Sequence, residues 1–420
     1  MTLTADWFAY LSSARWFQSK GLGGTITALT PLPWLAQEED CWVRSELATV
    51  SHAAGQDTYH LVVAYSPTAA AVTATPPDAV VTVTDLPGLG PAQVVDAPRS
   101  PAAMAVLLRG LATAPGVTWL APPPDPALPT TVFTGEQSNT NVRIGDGVLL
   151  KILRKLTPGP SLDVEVLRAL RGSGLAPELY GTWRDAARDV DLGVAMERVT
   201  DAADGWEWAT QACRAGRDSA PEFRRLGQTL RRLHAALADA FPTAVATGAD
   251  VVAQMTSRLD AAAADLPELA AYRDGLEAAF ARLGTAELPV QRLHGDFHLG
   301  QVLLSPAGWT ILDFEGEPLK TPAERRQPDS VWRDVAGLTR SIDYARSAHP
   351  DPASEAALTW AAQARAAFLA GYLGDSVTPP PALAAYEADK AIYELLYETR
   401  NRPTWTAIPR RALAALAHPT

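Results

Sequence analysis

The stretch HGDFHLGQVL at residues 294–303, followed by ILDFEG at residues 311–316, carries the densest set of chemistry-bearing side chains in the sequence. Transfer of a phosphoryl group from a nucleotide needs a carboxylate facing the acceptor hydroxyl and two oxygen ligands for Mg²⁺. Asp296 precedes Gln301 by five positions, the separation between the catalytic Asp and the metal-binding Asn of the kinase loop H-R-D-L-x-x-x-N. Asp313 lies on the next predicted strand. The spacing therefore predicts Asp296 as catalytic base and Gln301 and Asp313 as metal ligands.

Three other interpretations of this stretch remain open. A buried turn with a hydrogen-bonded Asp and two packed histidines would explain the HxDxH pattern alone. His294, Asp296 and His298 could also bind a hydrolytic metal, because alternate residues of a strand share a face. Neither interpretation gives a role to Gln301 and Asp313. A catalytically silent nucleotide-binding module is the third alternative, which the intact acidic residues disfavour.

The segment before this stretch contains a lysine suited to a nucleotide site. Lys151 lies in an apolar predicted strand, from which its ammonium can reach phosphates. Glu165, in the following predicted helix, is its expected ion-pair partner. The pair predicts a phosphate-binding position upstream of the catalytic stretch.

A polar turn and a strand flank this lysine. The turn at residues 135–141 offers groups that hydrogen-bond phosphate, and the strand at residues 194–199 is the expected hinge whose backbone would meet an adenine. The expected nucleotide-binding residues in the two segments are Gln137, Ser138, Asn139, Met196, Glu197 and Val199.

Charge and composition exclude several classes of protein. The 420 residues include 36 Lys and Arg against 47 Asp and Glu, and a net charge of −11 argues against nucleic acid or an anionic membrane as partner. No apolar run approaches the roughly 20 residues that cross a bilayer. Residues 1–20 predict an amphipathic helix rather than a cleavable signal, so we expect a cytoplasmic protein. Cys41 and Cys213 are far apart, which excludes a disulfide scaffold.

Hydrophobic periodicity predicts an α+β protein in three parts, residues 1–125, 126–200 and 201–420. A run of prolines at residues 121–126 marks the first boundary, and the third part is mainly helical. The predicted strands are residues 41–44, 58–65, 80–83, 131–133, 148–153, 192–199, 290–293, 301–304 and 309–314. The clearest predicted helices are residues 101–111, 162–170, 223–237 and 386–398.

With these residues in hand, the sequence resembles the maltokinase-like branch of the aminoglycoside-phosphotransferase-type kinases of actinobacteria, a broad family that includes glucosamine kinases. The resemblance spans most of the chain, and residues 15–17 are similar to the start of the family's N-terminal cap. The motifs that carry it are residues 136–140, 294–303, 313–318, 325–326, 328–330, 333–337, 386–387, 389–391 and 397–400.

This resemblance implies a bilobal, protein-kinase-like fold. Its parts would be a cap subdomain (1–125), a β-rich ATP-binding subdomain (126–200) and a helical C-lobe with the catalytic loop and the sugar site (201–420). It implies ATP and Mg²⁺ as cofactors. As partner we expect a small sugar, without nucleic acid or membrane, and the chain as a monomer or weak homodimer.

The segment ETRNRP at residues 398–403 bears on which sugar is bound. Maltokinases read Glu-Thr-Arg-His-Arg-Pro here, so the missing imidazole favours glucosamine, whose ammonium would prefer a carboxylate partner. The expected substrate residues are His298, Glu315, Asp334, Glu394, Glu398, Arg400, Asn401 and Trp405. We therefore expect a sugar kinase that makes glucosamine 6-phosphate, with maltose 1-phosphate formation as the alternative.

Overall fold

A computed structural model describes residues 3–68, 76–133, 138–284, 286–317, 320–375 and 378–417. The chain divides into two compact units: the first holds residues 1–168 and 177–200, and the second holds residues 169–176 and 201–420. The chain leaves the first unit after residue 200, at the second of the two expected boundaries. The boundary expected after residue 125 falls inside the first unit.

The first unit is built on two six-stranded antiparallel sheets. Its strands are β1 (Thr25–Glu38), β2 (Cys41–His52), β3 (Gly55–Pro67), β4 (Val80–Leu86), β5 (Gly90–Asp96), β6 (Val117–Trp119), β7 (Thr130–Val132), β8 (Thr140–Ile144), β9 (Val148–Ile152), β10 (Lys155–Leu156), β11 (Leu179–Asp185) and β12 (Val190–Glu197). Its helices are α1 (Leu3–Ser13), α2 (Pro101–Leu111) and α3 (Leu162–Ala169). One sheet runs β1-β2-β3-β5-β4 with β10 beside β3, and the other runs β6-β11-β12-β9-β8-β7.

Strand β3 explains why the residues on either side of residue 125 form one unit. Val62 and Ala64 pack into a core shared with β8, β9 and Trp183, whereas Leu61 and Val63 point into an aromatic core under α1. Successive side chains of a strand point to opposite faces, so β3 is buried on both sides. The first of these cores joins the predicted cap to the β-rich segment that follows it.

The second unit is mainly helical. Its helices are α4 (Gly205–Arg214), α5 (Ala220–Ala240), α6 (Gly248–Asp265), α7 (Arg273–Ala281), α8 (Pro322–Arg325), α9 (Trp332–Ser347), α10 (Glu355–Leu373), α11 (Pro381–Asn401) and α12 (Ala407–Ala417). Its strands are β13 (Ala203–Asp204), β14 (Ala244–Thr247), β15 (Glu287–Val290), β16 (Val302–Ser305) and β17 (Gly308–Ile311). They form a sheet β13-β16-β17 and a pair β14-β15.

The apolar stripe predicted at residues 223–237 is the buried face of α5. Phe223, Leu230 and Leu237 are fully buried there, at the three- and four-residue spacing that places side chains on one side of a helix. Within the described residues, every helix is too short or too polar to traverse a lipid bilayer.

Two strands next to the catalytic stretch end earlier than the sequence indicates. The strand expected at 290–293 ends at Val290, and the one expected at 309–314 ends at Ile311. The residues released from strand geometry, 291–301 and 312–317, form the loops that carry the predicted catalytic and metal-binding side chains. Polar functional groups thus occupy loops held between short strands.

Candidate active site

A buried carboxylate on α9 fixes the backbone of the catalytic loop, residues 291–301. Both oxygens of Asp334 accept hydrogen bonds of 2.9 Å, from the N–H groups of His294 and Gly295. His234 Nε2, on α5, lies 3.1 Å from Asp334 Oδ2. Burial opposes ionisation of Asp334, but its contact with His234 lowers the pKa of this carboxyl below its usual value. The expectation that Asp334 binds substrate is therefore wrong: it is fully buried and its oxygens hold the loop.

Helix α9 also presents a small residue to the loop. A Cβ atom at Gly337 would lie 2.5 Å from the carbonyl oxygen of Phe297, so only glycine allows the loop to pack this closely. One turn further along, Ser341 Oγ accepts from the N–H of Leu299 at 3.1 Å. These contacts hold the backbone on both sides of Asp296 and His298.

Asp296 is half-buried and bonded to a lysine from α11. Lys390 Nζ lies 3.1 Å from Asp296 Oδ1 and 2.9 Å from Glu317 Oε1. The other oxygen of Asp296, Oδ2, lies 3.9 Å from His298 Nε2. Burial alone would lower the pKa of Lys390, but Glu317 and Asp296 outweigh it and hold that pKa well above its ordinary value. A charged lysine therefore stands beside the predicted base.

The two predicted metal ligands meet at the end of the catalytic loop. Gln301 Nε2 lies 3.2 Å from Asp313 Oδ2, and the N–H of Leu312 donates to the Gln301 carbonyl at 2.9 Å. Asp313 has φ +59°, in the left-handed region that Asp tolerates better than most residues. A strained backbone at such a position is typical of a functional site. The carboxylate and the amide oxygen together suit a hard divalent cation.

A cavity of about 530 Å³ in the second unit opens beside Asp296. Its volume lies in the usual range of small-molecule sites, roughly 300–1,000 Å³. The residues predicted from the sequence that line it are Asp296, His298, Glu394, Glu398 and Trp405. Lys390, Arg402 and four further aromatic side chains contribute to the same wall. The cavity thus joins the predicted base to an acidic and aromatic surface.

Glu394 and Glu398 stand one helical turn apart on the cavity side of α11. Glu394 Oε2 accepts from Arg340 Nε at 3.1 Å and Nη2 at 2.8 Å. Burial nevertheless raises the pKa of Glu394 above its usual value, against the lowering effect of Arg340. A neighbouring cation thus already compensates the charge of Glu394.

Glu398 has one oxygen with hydrogen-bond partners and one without. Its Oε1 accepts from Arg402 Nη2 at 2.7 Å and from the Tyr344 hydroxyl at 3.2 Å. Its Oε2 is buried and has no hydrogen-bond partner among the residues that the structure describes. A buried carboxylate oxygen without a partner is costly, and here it belongs to a residue of the cavity wall. It is therefore a natural acceptor for a ligand.

Trp405 forms an aromatic side of the cavity. Its ring is stacked on Tyr344 at 6.0 Å between centroids and 24° between planes. The guanidinium of Arg402 lies 5.1 Å from the Trp405 ring centre. This packing orients an indole face suited to the apolar face of a sugar ring.

Three expected substrate residues lie elsewhere. Arg400 is exposed and forms an ion pair with Asp265 of α6, and the exposed Asn401 donates to the Tyr397 carbonyl at 2.9 Å. Neither residue lines the described cavity: Arg400, two residues beyond Glu398, lies about 200° around the helix from it, and the Asn401 amide is bonded to the backbone of its own helix. The cavity therefore gives no support to either expectation. Glu315 is also absent from the residues of the described cavity wall.

Lys390 and Arg402 are two charged residues of the cavity wall that sequence reasoning missed. Both lie one turn from a predicted glutamate, Lys390 before Glu394 and Arg402 after Glu398, and this four-residue spacing was the available signal.

In the first unit, the predicted lysine is buried and paired. Lys151 on β9 donates to Asp163 of α3, two residues before the expected Glu165 on the same helix. Burial among apolar strand residues makes such a pair necessary, since an isolated ammonium would lose its charge. Asp163 is a partner that the sequence analysis did not identify.

The other expected nucleotide-binding residues lie in the same unit. Met196 and Glu197 end β12, and the N–H of Glu197 donates to the Glu178 carbonyl at 2.8 Å. Asn139 Oδ1 accepts from the N–H of Arg154 at 3.1 Å. Val199 is half-buried just beyond β12, Ser138 is exposed, and Gln137 lies outside the described residues. Their binding roles stay predictions.

A model of the phosphotransferase enzyme family (APH) matches residues 130–369, more than half of the chain. The chain belongs to this family. The match covers β7 to most of α10, including both predicted metal ligands, Asp296 and Lys151. The resemblance to aminoglycoside-phosphotransferase-type kinases is confirmed.

Curated relatives include two glucosamine kinases. That of Mycolicibacterium smegmatis (strain ATCC 700084 / mc(2)155) is 31% identical over 68% of this chain and 78% of its own length. That of Streptacidiphilus jiangxiensis is 30% identical over 70% of this chain and 77% of its own length.

A solved structure has the same architecture as this phosphotransferase. It is a glucosamine kinase in complex with glucosamine, ADP and inorganic phosphate, and it matches with a TM-score of 0.68 at 22% identity. The match covers 98% of this chain and 99% of that one. The expected α+β, protein-kinase-like fold is therefore confirmed.

Proposed function

We propose that the chain is an ATP- and Mg²⁺-dependent kinase that phosphorylates glucosamine to glucosamine 6-phosphate. Family membership supports phosphoryl transfer, and both curated relatives are named as glucosamine kinases. The observation in this chain that carries the choice of sugar is the buried, unpartnered Oε2 of Glu398, a residue of the cavity wall. The alternative of maltose gains no support from these relatives.

An ammonium group fits this oxygen better than a hydroxyl does. Glucosamine carries an amine at C2 that is protonated in part near neutral pH, and a charge-assisted hydrogen bond is about twice as strong as a neutral one. Arg402 and Tyr344 occupy Oε1 of Glu398, which leaves Oε2 to the ligand. Glucose would leave this buried oxygen with a weaker partner, so Glu398 discriminates between the two sugars.

Asp296 accepts the proton of the sugar hydroxyl. Lys390 occupies its Oδ1, so Oδ2 is the oxygen that faces the acceptor. As the hydroxyl oxygen bonds to the γ-phosphorus and the bond to the leaving ADP breaks, the proton passes to the Asp296 carboxylate. The loop contacts of Asp334 and Gly337 hold this carboxylate in place.

The nucleotide and its metal have candidate binding residues of their own. Gln301 and Asp313 would hold Mg²⁺, which when bound neutralises charge on the phosphates. Lys151 would bind phosphate, and the end of β12 would meet the adenine. ATP is abundant in the cytoplasm, where we place the protein, with a small sugar as its partner.

The test is ADP release by the purified chain with ATP and Mg²⁺ across glucosamine, glucose, N-acetylglucosamine and maltose. We expect glucosamine to give the highest kcat/KM, and N-acetylglucosamine, which has no ammonium, to resemble glucose or fall below it. The product phosphate is expected on the 6-hydroxyl by NMR. Maltose as the best substrate, or an equal response to glucosamine and glucose, would overturn the proposal.

A further inference from the structure

One ammonium group joins three segments around the catalytic base. Lys390, on α11, contacts Asp296 Oδ1 in the catalytic loop and Glu317 Oε1, four residues after the predicted metal ligand Asp313. The same Nζ lies 4.7 Å from the ring centre of Tyr393 on the cavity wall. Its partners are 94 and 73 residues away in sequence, so these contacts are set by the tertiary fold.

Glu317 has two further cations beside this lysine. Glu317 is buried, and Lys320 Nζ lies 3.0 Å from its Oε2 while Arg333 Nη1 lies 3.9 Å away. Lys390, followed by Arg333 and Lys320, outweighs burial and holds the pKa of Glu317 far below its usual range. Of these three cations, Lys390 is the one that also contacts Asp296 among the described residues.

We propose that Lys390 is a positioning residue that ties the catalytic base to the turn carrying Asp313. By holding Oδ1 of Asp296 and Oε1 of Glu317 on one ammonium, it fixes the rotamer in which Oδ2 faces the sugar. The proposal rests on the proposed function for its kinetic test. Its physical basis is that a base misplaced by about 1 Å can lose on the order of 10²-fold in rate.

Two lysines make a matched pair for the experiment. Lys390 and Lys320 both contact Glu317, but Lys390 alone of the two contacts Asp296 among the described residues. Lys390→Met is expected to lower kcat for glucosamine about 100-fold with KM changed less than about threefold, whereas Lys320→Met keeps kcat within about twofold. Equal losses in the two variants would overturn the proposal, since both would then act only through Glu317.

A third variant tests the connection between the base and the metal-binding turn. Glu317→Gln loosens Lys390 without touching Asp296, and we expect a loss in kcat of about tenfold. The double variant Lys390→Met/Glu317→Gln removes both charges of the pair, so neither is left buried without its partner. It is therefore expected to fold even if Lys390→Met does not. Its kcat should equal that of Lys390→Met, and losses that multiply would contradict the shared action.

A crystallographic comparison decides the proposal independently of the substrate. In Lys390→Met, or in the double variant if the single one unfolds, the Asp296 carboxylate should leave the position that it has in the wild type. An unmoved Asp296 would overturn the positioning role. If the wild type fails to phosphorylate glucosamine while Asp296 moves, the proposed function fails and the positioning role stands.

Discussion

The catalytic loop, residues 291–301, and helix α11 both line the cavity, but their residues differ in how well the sequence predicts their positions. In the loop, the spacing between Asp296 and Gln301 is enough to predict their roles, because Asp334 and Ser341 hold the backbone of the loop. On α11 the polar residues around Glu398 look alike in the sequence, and only their angle around the helix separates wall from surface. In a short loop with a fixed backbone, residue spacing is enough to predict which side chains lie together. On a helix, the prediction also needs the angular position of each residue around the helix axis.

The loop and helix α11 are expected to act at different steps of the reaction. In the proposed mechanism the loop supplies a group that acts on the transition state, since Asp296 would take a proton only as the reaction proceeds. The helix would supply Glu398 and Arg402, whose proposed interactions with a sugar would exist already in the bound substrate. Variants of the loop should therefore change kcat, and variants of the helix should change KM.

The largest effect is expected for Asp296→Asn. This change removes the proton acceptor but keeps the shape of the side chain, so kcat should fall about 10³-fold while KM for glucosamine changes little. Steady-state ADP release measures both constants, and thermal denaturation with and without nucleotide checks that the variant folds and binds. A variant with wild-type turnover would remove Asp296 from the chemistry.

The fold and the loop could be predicted further from the sequence than the helix could. The strand predicted at residues 58–65 lies within β3, and the motif at residues 294–301 forms the loop beside the cavity, so both follow from local patterns. Lys390 is different, because its role comes from partners 73 and 94 residues away. Asp334 likewise looks like a ligand-binding carboxylate in the sequence and is a buried support for the loop. Long-range contacts of this kind have no local signal.

Strand β1 shows the same limit in the fold. The predicted strands do not include Thr25–Glu38, a segment with two prolines, Pro31 and Pro33, which cannot donate hydrogen bonds to a neighbouring strand. The structure accommodates both prolines because β1 lies at the edge of its described sheet, and its register with β2 shifts between Pro31 and Trp34. Whether a strand lies at the edge of a sheet depends on how the other strands are arranged, and the sequence of the strand itself does not show this.

A smaller and more selective effect is expected for Glu398→Gln. The variant keeps a hydrogen-bonding oxygen but loses the charge that would pair with an ammonium, so KM for glucosamine should rise about 10- to 100-fold. Glucose, which has no amine, serves as the internal control, and its KM should change less than about threefold. Parallel losses for both sugars would show that Glu398 supports the cavity without selecting the amine.

The smallest effect is expected for Arg400→Ala, which tests helix phase directly. Arg400 and its partner Asp265 are each about half exposed, with side-chain exposures of 52% and 54%, and a surface ion pair of this kind contributes about 0–1 kcal/mol to stability. We therefore expect kcat and KM for glucosamine within about twofold of the wild type and little change in melting temperature.

Arg402→Met is the matched variant, two residues further along the chain. It removes the charged one of the two donors to Oε1 of Glu398 and the cation beside the Trp405 ring, so it should raise KM several-fold. If Arg400→Ala raised KM as much as Arg402→Met does, the face of α11 assigned to the sugar would be wrong, and the difference between loop spacing and helix phase would disappear.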